Sequence, residues 1–155
     1  IHCLRINKFV VPKTAFVGDR IELLCLYDLN EGETLYTLKW YRNETEFARL
    51  EPKQYKGPFY LKVDGIEVDK ANSNGTTVIL NNVNKLTSGS IVCEVSTERT
   101  FQTVVAEQNL TVLRPDEAYL NDGMWMHSDG SAWKLVISSC SLSCALFVWK
   151  QANVI

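Results

Sequence analysis

The sequence predicts an all-β chain: a two-sheet antiparallel sandwich followed by a C-terminal tail of different character. Three observations carry that expectation. The first 113 residues hold short alternating apolar and polar runs and no helical period. Strand side chains alternate between two faces, whereas helical ones recur every three or four positions. Turn-forming clusters punctuate the runs, among them Val17-Gly-Asp, Asn30-Glu-Gly-Glu and Asn72-Ser-Asn-Gly. Two cysteines and a tryptophan fall on the inner faces of three of these runs.

The candidate strands follow in order. Segments 4–10 and 14–17 precede the Val17-Gly-Asp turn. In 20–27, Ile21, Leu23 and Cys25 share a face, and Asn30-Glu-Gly-Glu ends the run. In 35–42, Leu38, Trp40 and Arg42 share a face. Segments 46–50 and 59–63 flank Lys56-Gly-Pro, and 66–69 follows Asp64-Gly. Segment 76–81 follows the Asn72 turn. In 90–96, after Thr87-Ser-Gly-Ser, Ile91, Cys93 and Val95 share a face. Segment 101–113 runs to Pro115, which ends it.

Trp40 lies fifteen residues after Cys25, and Cys93 sixty-eight after it. That order and spacing is the immunoglobulin pattern. It predicts a Cys25–Cys93 disulfide joining the two sheets, with Trp40 packed on it. Closing so long a loop stabilises the fold by roughly 4 kcal/mol in the chain-entropy model. The segments between Trp40 and 76–81 exceed what seven strands need. Residues 46–50 and 59–69 therefore read as the extra C′ and C″ strands of the variable type. Residues 1–114 are assigned to one V-type immunoglobulin-like domain.

Composition narrows the function. A net charge of -2 over 155 residues gives no footprint for nucleic acid. No glycine-rich phosphate loop, nucleophile elbow or zinc motif occurs, and the two histidines lack ligand spacing. A non-enzymatic chain without metal or cofactor is expected. Three N-x-[ST] sequons, at Asn43, Asn74 and Asn109, favour a secreted or cell-surface glycoprotein.

Several blocks are more specific than the fold. Cys25-Leu-Tyr-Asp-Leu, Leu35-Tyr-Thr-Leu-Lys-Trp-Tyr-Arg, Glu46-Phe-Ala-Arg-Leu-Glu-Pro and Cys93-Glu-Val-Ser-Thr-Glu stand in one order and spacing. In these blocks the chain resembles the arthropod beaten path (Beat) family over roughly residues 3 to 113. The resemblance implies an extracellular protein of axon guidance and neuronal adhesion. It implies heterophilic binding to an immunoglobulin-superfamily receptor of the Sidestep type. A homophilic adhesion or immune-recognition module of the same fold is the alternative. The family and most variable-type domains carry tyrosine where this chain has Ile91, and its hydroxyl fastens the turn before that strand. Ile91 cannot make that bond, so a loss of about 1 kcal/mol is expected. Thr87 replaces the usual acidic residue and leaves the partner of Arg42 open.

Alternation places Thr37, Lys39, Tyr41, Val92, Glu94 and Ser96 on the outer face of the second sheet, with Phe101, Thr103 and Val105 of the last strand beside them. Lys39, Tyr41, Phe47, Arg49 and Glu94 are the candidate partner-binding residues, because aromatic and arginine anchors dominate protein interfaces.

The tail changes character. Residues 115–134 read as a polar linker and 135–155 as an apolar C-terminal segment. The uncharged run from Leu135 to Trp149 is fifteen residues, shorter than the ~20 a membrane helix needs. It reads as a glycolipid-anchor signal, a short membrane segment or a non-native extension. The pairing of Cys3, Cys140 and Cys144 is left open.

Overall fold

Pro12 divides the first strand between two sheets. The computed structural model describes residues 3–116, 124–126 and 132–134. Before the proline, β1 (Arg5–Val10) pairs antiparallel with β3 (Ile21–Asp28). After it, β2 (Thr14–Phe16) pairs parallel with β9 (Thr103–Leu113). Proline lacks the N–H that a continuous ladder requires, so the crossover falls there.

The remaining strands are β4 (Leu35–Arg42), β5 (Thr45–Leu50), β6 (Phe59–Tyr60), β7 (Thr77–Leu80) and β8 (Gly89–Thr97). One sheet has the order β1-β3-β7 and the other β2-β9-β8-β4-β5-β6. This is an immunoglobulin-like sandwich, and its six-stranded sheet carries the two extra strands of the variable type.

The core lies between the sheets. Leu23 and Cys25 from β3, Leu38 and Trp40 from β4, and Ile91, Cys93 and Val95 from β8 are fully buried. Cys25 and Cys93 are disulfide-bonded, with their Cα atoms 6.5 Å apart. The Trp40 ring stacks on Phe9 at 6.1 Å between centroids and tilts against Phe47 at 6.5 Å. Its indole N–H donates to the Gly75 carbonyl at 2.8 Å, so the one polar atom of the ring is satisfied.

Two strand expectations are corrected. The sixth strand is two residues long, and 66–69 is not a strand. Single bridges, Val63 to Ile66 and Val68 to Leu80, take its place. The reason is local. Gly65 turns the chain at φ +80° just before the segment, and a turn in which the Asp69 carboxylate accepts from the Asn72 side chain at 2.8 Å ends it. That hydrogen bond is the first cause that lowers the Asp69 pKa, and Arg20 adds to it.

The corner before β8 is fastened without the tyrosine. Ile91 is fully buried and fills the core. A 3₁₀ turn, Lys85–Thr87, precedes β8 and is closed by a reciprocal cap. Asn84 Oδ1 accepts from the Leu86 N–H at 2.8 Å, and the Asn84 N–H donates to Thr87 Oγ1 at 2.9 Å. Thr87 Oγ1 donates onward to the Gly65 carbonyl. Arg42 completes the network. Its guanidinium donates to the carbonyls of Leu86 and, at 3.1 Å, Asp64. Arginine thus takes backbone carbonyls in place of a carboxylate, while its buried Nε keeps no partner. Only glycine fits at position 65, since a Cβ there would lie 2.5 Å from Leu86 Cβ.

Arg114–Ile155 forms a separate unit. Within the segment expected as a linker, β10 (Met124–Met126) and β11 (Ala132–Lys134) pair antiparallel. The apolar segment 135–155 and Cys140 and Cys144 lie outside the described residues. Among the described residues, no helix is long and apolar enough to cross a membrane. Cys3 is a free, exposed thiol.

The corner network yields a stability prediction. Thr87→Val leaves the partly buried Gly65 carbonyl and Asn84 N–H without the Thr87 hydroxyl and lowers stability by about 1–3 kcal/mol. Thr87→Ser recovers most of that loss. Chemical denaturation of both variants measures it.

Candidate functional site

The outer face of the six-stranded sheet is set by register. Trp40 pairs with Cys93 on the inside, so Lys39 pairs with Glu94 and Tyr41 with Val92 on the outside. Lys39 pairs with Arg49 on its other side, and Arg49 with Phe59. Glu94 pairs with Val105, and Val92 with Glu107. One rung therefore runs Val105, Glu94, Lys39, Arg49, Phe59 across five strands.

The centre of the face is ionic, and both of its cations are paired. Lys39 Nζ lies 3.9 Å from Glu94, and the Tyr41 hydroxyl donates to Glu94 at 3.5 Å. Arg49 forms a two-pronged pair with Glu46, at 2.7 and 3.0 Å, and lies 3.6 Å from Glu51. The Glu46 hydrogen bond holds the Arg49 guanidinium above its ordinary pKa. Desolvation raises the Tyr41 phenol, and the charges of Glu94 and Glu46 push it further. Apolar groups flank this centre. Val105 is 57% exposed on one side, and Tyr55 and Phe59 stack at 5.5 Å on the other.

Phe47 is a correction. It is fully buried against Trp40 and cannot meet a partner. The β4–β5 ladder slips between Trp40 and Tyr41, where Ala48 and Glu46 are successive partners. Phe47 is the extra residue of that bulge and turns into the core beside Ala48. Simple alternation would set it on the face of Arg49. Thr37 is also corrected: it is 4% exposed, where the β4–β8 ladder slips next to Leu35. Lys39, Tyr41, Arg49 and Glu94 stand together on the outer face.

The sequons are all exposed. Asn43 and Glu44, at φ +45° and +68°, form the two-residue turn that joins β4 to β5. Asn43 Oδ1 accepts from the Ser90 N–H at 2.8 Å. Its amide sits where a Cβ on residue 89 would fall, 2.2 Å from Oδ1, so glycine is required there. Asn109 pairs with Ser90 from the other side. Both sequons thus mark the same end of the face. Asn74 lies in the turn before β7, where its Oδ1 accepts from the Thr77 N–H at 2.8 Å.

At the opposite end the loops are tied together. Glu98 accepts from Lys53 and, at 2.9 Å, from Thr34, which links three connecting segments. The Lys53 bond and then the Thr34 bond hold its carboxyl below the usual range. The register with Glu94 places Val105 on the face, as alternation along the last strand expects, whereas Phe101 lies before that strand, in the loop. Tyr55 is not foreseen by the sequence, since it lies in a connection and has no periodicity to reveal it. Among the described residues, no cluster of three or more His, Cys, Asp and Glu could hold a metal.

The chain matches solved structures at the level of the fold. It is similar to murine CRIg, with 14% identity over 73% of this chain and 100% of that one, at a TM-score of 0.51. It is similar to a structure of Dpr1 Ig1 bound to DIP-eta Ig1, with 16% identity, 73% and 98% coverage and a TM-score of 0.51. The V domain of amphioxus IgVJ-C2 matches with 17% identity, 64% and 98% coverage and a TM-score of 0.50. The chain has an immunoglobulin fold. No protein-family model and no curated protein matches it.

The burial of Phe47 and the exposure of Arg49 separate a core role from a surface one. Phe47→Ala lowers stability by about 3–5 kcal/mol, the usual cost of an emptied aromatic site. Arg49→Ala, which breaks partly exposed ion pairs, changes it by about 1 kcal/mol or less. Thermal unfolding of the two variants checks the contrast.

Proposed function

We propose that the chain is an extracellular recognition domain that binds an immunoglobulin-superfamily partner through the outer face of its six-stranded sheet. The observation that carries the reading is the composition of that face. Charge pairs of Lys39, Glu94, Arg49 and Glu46 hold the centre with the half-buried Tyr41, and Val105, Tyr55 and Phe59 supply exposed apolar area around them. Aromatic and arginine side chains are the usual carriers of binding energy, and balanced charge patterns fix register between partners. The Cys25–Cys93 bond and the three sequons support an oxidising, secretory route and a secreted or cell-surface location.

The Beat resemblance supports a finer reading: a heterophilic ligand for a Sidestep-like receptor, acting in axon guidance and neuronal adhesion. The neighbouring structure of Dpr1 Ig1 bound to DIP-eta Ig1 contains two immunoglobulin domains in complex, which supports a partner of that class. A second reading has its own support. The face carries acids and bases side by side, Glu94 beside Lys39 and Glu46 beside Arg49, and a second copy turned about a two-fold axis could set each sign against the other.

An array of immunoglobulin ectodomains, including Sidestep-family members and the chain itself, tests both. Heterophilic binding to a Sidestep-type ectodomain is the expected result. The double variant Lys39→Glu, Arg49→Glu weakens it about tenfold or more, because reversed charges meet like charges on the partner. Unchanged affinity in a folded double variant overturns the assignment of the face. Self-binding alone replaces the heterophilic reading with the homophilic one.

A further inference from the structure

The loop from β8 to β9 displays Phe101, which at 75% is the most exposed large hydrophobic side chain among the described residues. Its backbone is left-handed, at φ +52°. That region is disfavoured for a bulky L-residue, and glycine or asparagine would occupy it freely. The loop around it is held firmly. The Thr97 N–H donates to the Gln102 carbonyl at 2.9 Å, and the Gln102 N–H returns to Thr97 Oγ1 at 3.1 Å. Asn30 donates to the Gln102 side chain at 3.0 Å. Arg99 donates twice to the turn before β4, from its backbone to Glu33 at 3.2 Å and from its guanidinium to Gly32 O at 3.0 Å.

An ordered loop therefore presents a strained phenylalanine to water. The ring has no aromatic partner among the described residues, and it is not part of the core. Packing within the domain gives no reason for it. A strained backbone over-determined by its surroundings, with an aromatic group projecting from it, is the form of a pre-organised binding anchor. The collar supports the same occupant. Lys53 pairs with Glu98 beside the tip, and the Glu33 carboxylate accepts from the Arg99 backbone N–H, so the rim around the tip is polar and carries both signs. Such a tip fits an apolar pocket with a polar rim on a folded protein. The sequons at Asn43 and Asn109 stand at the Ser90 end of β8, away from Thr97 and this loop. Glycans on them would leave the Phe101 end clear.

We infer that Phe101 is the apolar anchor of the partner contact, seated in a pocket of an immunoglobulin-domain protein. The inference rests on the proposed recognition role and adds the loop tip to the sheet face. Phe101→Gly tests it on the full chain, because glycine accepts the left-handed backbone and the variant keeps its thermal midpoint. The probe is the same array of immunoglobulin ectodomains. Affinity for the ectodomain that the wild-type chain binds falls about 30-fold or more, the scale of a hot spot. Phe101→Asn, which also accepts this backbone, gives the same loss. Affinity within about threefold of wild type in either folded variant overturns the anchor. The charge reversal at Lys39 and Arg49 keeps the two claims apart. If it weakens binding while Phe101→Gly does not, the sheet face stands and the anchor falls. If the losses are the other way round, the anchor stands and the sheet face falls. Binding to no member of the array overturns both.

Discussion

The bond between Cys25 and Cys93, with Trp40 packed at the same level, is the constraint from which the rest of the fold is read. It fixes which face of β3, β4 and β8 points inward. Strand side chains alternate, so fixing the inside of β4 and β8 also fixes the outside. Trp40 opposite Cys93 requires Lys39 opposite Glu94. The ionic centre of the candidate surface is thus a consequence of the pin beneath it. A slip of one residue would bury those charges and expose the tryptophan. Removing the cross-link frees a sixty-eight-residue loop in the unfolded chain, so its stabilisation is large for a domain of this size.

The corner before β8 shows how a missing group is compensated. A tyrosine hydroxyl would make one bond to backbone a few residues upstream. In its place Thr87, Asn84 and Arg42 make a short network to the turn at Asp64 and Gly65. The network ties the same corner from the other side and needs glycine at position 65 for the chains to approach. It also carries a cost. The guanidinium of Arg42 donates to carbonyl dipoles, and its Nε is buried without an acceptor among the described residues.

The inner faces were legible because their signals are strong and local: alternating runs, turn clusters and the spacing of Cys25, Trp40 and Cys93. Lys39, Tyr41 and Glu94 followed from the same alternation. Phe47 was not legible, since a bulge shifts parity by one residue and leaves no mark in the local sequence. The segment 66–69 alternates as a strand does, yet its pairing is cut short by the Asp69–Asn72 turn. The replacement of the tyrosine by Thr87 and Asn84 depends on contacts with Gly65, more than twenty residues away in the chain, which no local pattern reports. Alternation set Phe101 on the last strand, but it sits in the loop before that strand, and its positive φ is visible only in three dimensions.

Recognition through the outer face of the six-stranded sheet, as proposed, leaves the three-stranded sheet in solvent. Carboxylate footprinting of the chain, free and bound to an immunoglobulin ectodomain, tests it most directly. Glu46, Glu94 and Glu107 stand on the six-stranded sheet, whereas Glu22 stands on β3 of the other. The account predicts that binding protects Glu46 and Glu94 from labelling and leaves Glu22 unchanged. Protection of Glu22 with Glu46 and Glu94 still fully labelled would contradict it.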